Sequence, residues 1–464
     1  MALRPAGAPS FPAMSAVPVR PSAPSRRRHA LVGLGSRREF YQEGIEVTHA
    51  AAAELVAVCD VNPGRIELAQ ARAAARGGAG PRGYLAAEFP RLLAETRPDV
   101  VIVTTPDAAH AGYVVAALEA GCEVITEKPM TTDADACRRI LDACRRTGRH
   151  CRVAFNYRYS PARTQVKDLL LRGTIGEVLS VDFHWLLNTH HGADYFRRWH
   201  ARKDTSGGLF VHKATHHFDL VNWWLGAVPV AVSAAGSRRF YTPETARRLG
   251  LGGPHERCLT CPVAARCPFR LDLAADPRLR ALYLGNEAHD GYLRDRCVFR
   301  EDIDIEDTMS AAVTYDSGAL LTYSLNAYNA WEGYQVAFNG TAGRIEHTLV
   351  ETVYREGREA APTPDGPEVR TRVIPLRGAA EELTPWRADG DHGGGDRLML
   401  EEILAPGAVA DPYLRRADER AGAASILVGV AANRSLATGA RVRLADLVGD
   451  LPRPEYPVAA PGAA

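Results

Sequence analysis

Read for the alternation of apolar and polar positions, the chain divides into two stretches of different rhythm. In the first, short uninterrupted apolar runs at 30–32, 55–59, 99–106, 123–126 and 151–155 predict strands. Strands covered on both faces dispense with alternation, so these belong to a buried, mainly parallel sheet. Between them, 63–76, 89–96, 108–120 and 131–147 have helical patterning, and Gly121 and Gly148 stop the last two. Residues 77–83 read as a loop. Strands alternating with helices of this length predict a doubly wound sheet.

From about residue 157 the rhythm becomes strict alternation. Along 178–187, Leu179, Val181, Phe183 and Trp185 share one face, while Ser180, Asp182 and His184 share the other. Further strands are expected at 228–235, 309–315, 319–325, 334–338 and 344–347, with a hairpin turn at Asp316-Ser317-Gly318. Consecutive strands with short turns predict an open, mainly antiparallel sheet backed by helices at 212–225 and 418–438. The fold class is therefore α/β: a Rossmann-type domain over 29–156, then an α+β domain over 157–450. Residues 1–28, rich in Pro, Ala, Ser and Arg, read as a disordered tail, and 451–464 as a loose one.

Composition removes several function classes. Lys plus Arg (56) nearly balances Asp plus Glu (55), which gives no reason to expect nucleic acid or an anionic membrane as partner. No apolar run reaches the ~18 residues needed to cross a bilayer. Nine cysteines, five of them scattered as small hydrophobes through the first domain, fit a reducing cytoplasm better than a disulfide framework.

The chemistry begins after the first strand, at Gly33-Leu34-Gly35. Glycines there let backbone approach a pyrophosphate, and the following helix start can donate amides to it. The third glycine of the dinucleotide fingerprint would fall at Arg38, so the motif is degenerate. Its context supplies the rest, because Asp60 ends the second strand about 25 residues on, where an acid bonds ribose hydroxyls. A carboxylate there also repels a 2′-phosphate, which favours NAD over NADP. Ser36, Arg37, Arg38 and Arg65 are candidate phosphate or coenzyme contacts; a solvated helix start is the alternative for the arginines.

Three more segments leave strand ends on the same side: Thr105-Pro106 with His110, Glu127-Lys128-Pro129, and Asn156-Tyr157-Arg158. Ligands of open parallel sheets sit beyond those carboxyl ends. Lys128 is positioned to polarise a hydroxyl or carbonyl, and burial beside a cationic ring would lower its pKa. The Lys128-Pro129 bond is a candidate cis bond. Further on, Gly207-Gly208 precedes His212, His216 and His217. Spacing of four puts His212 and His216 on one helical face, suited to proton transfer, whereas His217 turns away to pack. Asn188, His190, His191, Asp194, Tyr195, Arg197, Trp199 and Lys203, with Tyr157, Trp185 and His392, are candidate substrate contacts, polar and aromatic together as a polyol or sugar requires.

The ordered set Gly33-x-Gly35, Thr105-Pro106-x-x-x-His110, Glu127-Lys128-Pro129 and Gly207-Gly208…His216-x-x-Asp219 resembles the Gfo/Idh/MocA oxidoreductases over roughly residues 29–450. That resemblance implies an NAD-dependent enzyme moving a hydride to or from a secondary hydroxyl of a sugar, sugar derivative or cyclitol. It makes Lys128 the catalytic lysine and His216 the proton-exchanging histidine, and it implies a homo-oligomer, dimer or tetramer. The family's usual acid four residues before that histidine is His212 here, which leaves the proton relay incomplete. A glycosidase or lyase with recycled NAD, and a non-catalytic coenzyme-binding regulator, are the alternatives.

Cys258, Cys261 and Cys267, spaced C-x2-C-x5-C, with Cys297 beyond, lie in a segment, about 250–300, that reads as an insertion. Four thiolates suit structural zinc; an iron–sulfur cluster or free thiols are the alternatives.

Overall fold

The computed structural model describes residues 26–458 apart from 78–79, 356–357, 363–366, 389–392, 406 and 408–410. Its first sheet holds six parallel strands: β1 (Arg27–Val32), β2 (Ala53–Asp60), β3 (Arg82–Leu85), β4 (Val100–Val103), β5 (Glu123–Thr126) and β6 (Cys151–Val153). Their spatial order is β3-β2-β1-β4-β5-β6, so the winding reverses between β1 and β4. Both strands are fully buried along their apolar runs, which explains why they lack alternation. The reversal leaves a crevice at their carboxyl ends, where Gly33 and Thr104 lie.

The second sheet has ten strands: β7 (Val178–Asn188), β8 (Pro229–Ser237), β9 (Thr308–Tyr315), β10 (Leu320–Asn329), β11 (Trp331–Gly340), β12 (Gly343–Arg355), β13 (Arg358–Ala360), β14 (Glu368–Pro375), β15 (Glu381–Leu383) and β16 (Val442–Arg443). The order runs β15-β14-β12-β11-β7-β10-β9-β8-β16, with β13 beside β12. All neighbours are antiparallel except β10 and β7. Val181, Phe183 and Trp185 are buried as the alternation requires, although Leu179 at the strand's start is half exposed. The helix Glu419–Thr438 packs on β8 and also on β6, tying the two sheets into one apolar core. Gly422 permits that approach, since a Cβ there would stand 2.9 Å from Met130 Sδ.

Several boundaries differ from the pattern-based expectation. Arg27 and Arg28, assigned to the tail, already pair with Ala53 and Glu54. Strand β3 lies in what reads as a loop, because only Tyr84 of its four residues is buried and no alternation is long enough to show. The helix expected from 131 begins at Ala134, where Asp133 caps it by accepting the Ala136 amide. Strands β14 and β15 pair at the sheet's exposed margin, where mostly polar residues give no apolar signal. The expected helix 212–225 is two pieces, Leu209–His212 and Thr215–Leu225. The break is a wide turn in which the Ala214 amide reaches back five residues to the Leu209 carbonyl. Among the described residues no helix is long and apolar enough to cross a membrane.

Candidate functional site

The crevice is one cavity of about 570 Å³, running from Asp60 and Arg65 at one end to Tyr195 and His216 at the other. Gly33 forms its floor with φ +88°, and a Cβ there would lie 2.5 Å from the Thr105 amide nitrogen, so only glycine fits. Asp60 is fixed by two backbone donors, Leu34 N at 2.5 Å and Asn62 N at 2.8 Å. Ser36 and Arg37 also line the cavity. Arg37 is held by Glu127 at 2.5 Å and Asp396 at 3.4 Å. Burial alone would raise the Glu127 carboxyl, but Arg37 and Lys128 outweigh it and hold it below the usual range. Two carboxylates thus match the charge of that arginine and fix its orientation beside the glycine turn.

At the other end, Lys128 follows β5, and its bond to Pro129 is cis. The ammonium donates to the His212 carbonyl at 3.4 Å. Burial lowers its pKa to about 8, with Asp107 and Glu127 opposing and Lys213 and Arg37 reinforcing the fall. His212 and His216 face the same cavity, although they sit on successive short helices and not on one. The His216 ring stacks on Tyr157 at 4.2 Å between centroids. His212 Nδ1 and Asp107 Oδ2 share a hydrogen bond of 2.5 Å. Burial drives His212 well below the ordinary histidine pKa and Asp107 well above the ordinary carboxyl value, while Lys128 and Arg198 pull Asp107 back. Lys128 and Asp107 thus titrate as an interacting buried pair, with His212 hydrogen-bonded to Asp107.

Of the sequence-derived candidates, the cavity also gathers Gly35, Thr105, Pro106, Asn156, Tyr157, His191, Tyr195 and Trp199. Others lie elsewhere. Arg38 is buried away from the crevice and donates to Gln42 Oε1 at 3.1 Å. His110 has both ring nitrogens tied to carbonyls, Pro129 O and Thr105 O, each at 2.9 Å. Arg158 makes a buried two-pronged pair with Asp219 at 2.7 and 2.5 Å, a strut beneath the site. Trp185 is fully buried and stacked on His217.

Asn188 caps the helix Thr189–Arg197 by accepting the His191 amide. Arg197 donates to Phe269 O, and Lys203 pairs with Glu306 at 2.5 Å, so neither lines the cavity. Asp194 is held by Arg294 at 2.7 Å, and His190 is absent from the lining. His392 lies outside the described residues. Asp396, in the first turn of the helix Gly395–Leu404, accepts from Asn156 Nδ2 at 2.6 Å.

The lining contains residues that the sequence did not single out: Asp107, Arg198, His200, Lys213, Tyr283, Asp290 and Tyr292. Asp107 directly follows Thr105-Pro106, so its place at a strand end was the available signal. Tyr283, Asp290 and Tyr292 come from the cysteine-rich segment, and nothing in its pattern links it to the crevice. The four cysteines of that segment line one small pocket with Phe269, Val298 and Phe299. Among the described residues no group of three or more His, Cys, Asp or Glu is arranged to hold a metal ion, so the geometry adds no support to zinc beyond the spacing.

Residues 27–155 match the oxidoreductase-family NAD-binding Rossmann fold, and 167–444 match the oxidoreductase-family C-terminal alpha/beta domain. The putative oxidoreductase YteT of Bacillus subtilis is 40% identical over 75% of this chain and 82% of its own. An inositol 2-dehydrogenase of Rhizobium meliloti is 30% identical, but the match covers 45% of this chain and 58% of that enzyme. Among solved structures, an aldose-aldose oxidoreductase from Caulobacter crescentus complexed with glycerol superposes with a TM-score of 0.59 at 18% identity, over 90% of this chain and 99% of that one. The WlbA dehydrogenase from Bordetella pertussis, in complex with NADH and UDP-GlcNAcA, gives 0.59 at 20% identity over 90% and 98%.

Proposed function

The chain belongs to the Gfo/Idh/MocA oxidoreductases and is an NAD-binding member of that family; from that premise we propose that it interconverts a secondary hydroxyl and a carbonyl on a sugar, sugar derivative or cyclitol. The observation that carries the reading is the shared cavity: Lys128, His212 and His216 face the same space as the glycine turn and Asp60.

The residues present fit a dinucleotide. The floor at Gly33 has no room for a Cβ, and Asp60 is held at the strand end by backbone amides. Asp60 and Arg65 would take the adenosine ribose end, Gly33, Gly35 and Ser36 the pyrophosphate with the paired Arg37 beside them, and Thr105, Pro106, Glu127 and Asn156 the nicotinamide end. When bound, the nicotinamide supplies the two-electron acceptor or donor for the substrate carbon.

Lys128, depressed by burial to about 8, exists partly as the free amine near neutral pH and can take a hydroxyl proton. Only one proton leaves that hydroxyl, so His216, its ring plane fixed by Tyr157, shares the same oxygen and exchanges that one proton with Lys128. Asp107 supplies the carboxylate that position 212 lacks, and reaches the relay through His212 from the opposite domain. His191, Tyr195 and Trp199 form the substrate wall, where aromatic faces meet apolar ring surface.

The same reading carries a homo-oligomer and a reducing cytoplasmic setting, supported by the family resemblance and the cysteine usage. Structural zinc at Cys258, Cys261, Cys267 and Cys297 rests on their spacing alone, and metal analysis of purified protein tests it. The reaction itself is tested by absorbance at the reduced-nicotinamide band with a panel of sugars and cyclitols. Net NADH formation or consumption supports it. Product release with no net NADH would replace it by elimination with recycled coenzyme, and NAD binding with neither by a regulator.

A further inference from the structure

The segment between the helix Pro243–Arg248 and β9 forms a lobe that closes over the adenosine end of the cavity. Tyr283, Asp290 and Tyr292 of this lobe line the crevice opposite Asp60 and Arg65. Its contacts with the coenzyme domain are specific. Tyr283 Oη meets Ser36 Oγ at 2.8 Å and accepts the Ser36 amide at 3.3 Å. Asn62 Nδ2 donates to the Asn286 carbonyl at 3.0 Å, and Arg65 Nε to the Leu282 carbonyl at 3.4 Å. The lobe also braces itself: Arg257 binds Glu287 at 2.6 Å and Asp295 at 2.7 Å, linking the short helix Glu287–Asp290 to the backbone bridge between Arg257 and Arg296. Asp290 is therefore held in place and is not on a free loop.

Arg65 lies between two carboxylates. Its Nη1 is 2.9 Å from Asp290 Oδ2 and 3.6 Å from Asp60 Oδ1. An arginine at this place in a Rossmann crevice is the group that accommodates the 2′-phosphate of NADP. Here its charge is already matched, and the cluster of Arg65, Asp60 and Asp290 carries one net negative charge. A phosphate arriving there would meet two carboxylates and a guanidinium committed to them, a repulsive arrangement that discriminates by raising the energy of the wrong ligand. NAD, with a bare 2′-hydroxyl, meets acceptors.

We infer that Asp290, contributed by the cysteine-rich segment, is a second coenzyme-selecting residue: it captures Arg65 and so excludes a 2′-phosphorylated dinucleotide. The inference rests on the coenzyme reading above and extends it to a segment outside the Rossmann domain.

Direct binding tests it, with NAD and NADP titrated against the full chain by calorimetry or fluorescence quenching. In Asp290→Asn the ratio Kd(NADP)/Kd(NAD) is expected to fall about tenfold, because Arg65 is released for the phosphate. Adding Arg65→Ala in the same chain is expected to cancel that fall. Asp290→Ser repeats the measurement should the asparagine variant not fold. A fall smaller than threefold in folded protein, or a gain for NADP that survives loss of Arg65, overturns the inference while leaving NAD binding intact. A wild-type chain that binds neither dinucleotide overturns the coenzyme reading, and this inference with it.

Discussion

Asp107, from the loop after β4, shares a hydrogen bond of 2.5 Å with His212, across the boundary between the coenzyme domain and the sheet domain. The family resemblance implies an acid where this chain has His212, and the pair sets the carboxyl group of a segment more than a hundred residues earlier against that imidazole. Both partners are buried. Asp107→Asn keeps shape and removes charge. It is expected to lower kcat about 100-fold, the usual scale for one acid–base partner, with NAD still bound. Steady-state kinetics beside an NAD titration checks this, and an unaltered kcat would leave the pair with a packing role only.

The depressed Lys128 amine sets a pH dependence. Its pKa is about 8 against the ordinary 10.5. As proton acceptor in the oxidation direction the group must be neutral, so kcat/KM rises with pH up to about 8 and levels off above. In the reduction direction the protonated form is needed, and the limb reverses, falling above about 8. Because Lys128 shares protons with Asp107, the measured limb belongs to the pair. A profile for oxidation that is flat from pH 6 to 10 would be inconsistent with a proton role for Lys128.

Arg158 supplies a test of structure against function. Its guanidinium and the Asp219 carboxylate are both essentially inaccessible to solvent, paired at 2.7 and 2.5 Å. Asp219→Asn removes one partner and strands the other, an imbalance worth about 3–5 kcal/mol of stability. Denaturant unfolding is expected to show that loss. NAD affinity of the folded fraction is expected to stay the same, because Arg158 does not line the crevice. A large loss of NAD affinity with unchanged stability would restore Arg158 to the coenzyme site.

Much of this architecture was legible in the sequence because it depends on local rules. Unbroken apolar runs marked β1, β2, β4 and β5, and the glycine turn and Asp60 fell where strand ends must lie. Lys128 was legible for the same reason. Residues such as Trp185 and Asn188 misled because aromatic and polar character suits a sugar site and a packed interior equally: one is a stacked core residue and the other a helix cap. Arg38 and His110 were drawn into the coenzyme site by proximity in sequence, but helix geometry turns one away and two carbonyls claim the other. The contribution of the cysteine-rich segment had no local signature. It depends on long-range docking of Tyr283 and Asp290 against Ser36 and Arg65, which only folding reveals.

Gly33 offers a further check on the coenzyme floor. At φ +88°, with the Thr105 amide 2.5 Å from any added Cβ, Gly33→Ala strains the backbone and displaces the crevice wall. The strain alone costs about 1–3 kcal/mol. The variant is expected to lose both stability and most NAD affinity, read by thermal unfolding with and without NAD. Full retention of NAD-dependent stabilisation would place the dinucleotide elsewhere.

The central claim is that Lys128 and His216, brought to one cavity from different domains, handle the proton while the coenzyme handles the electrons. It is tested most directly by following absorbance at the reduced-nicotinamide band for the wild type, Lys128→Ala and His216→Ala, with a substrate found by screening and NAD saturation verified for each protein. The account predicts that each variant binds NAD but turns over at least ~100-fold more slowly than wild type. Undiminished turnover in either variant would contradict it.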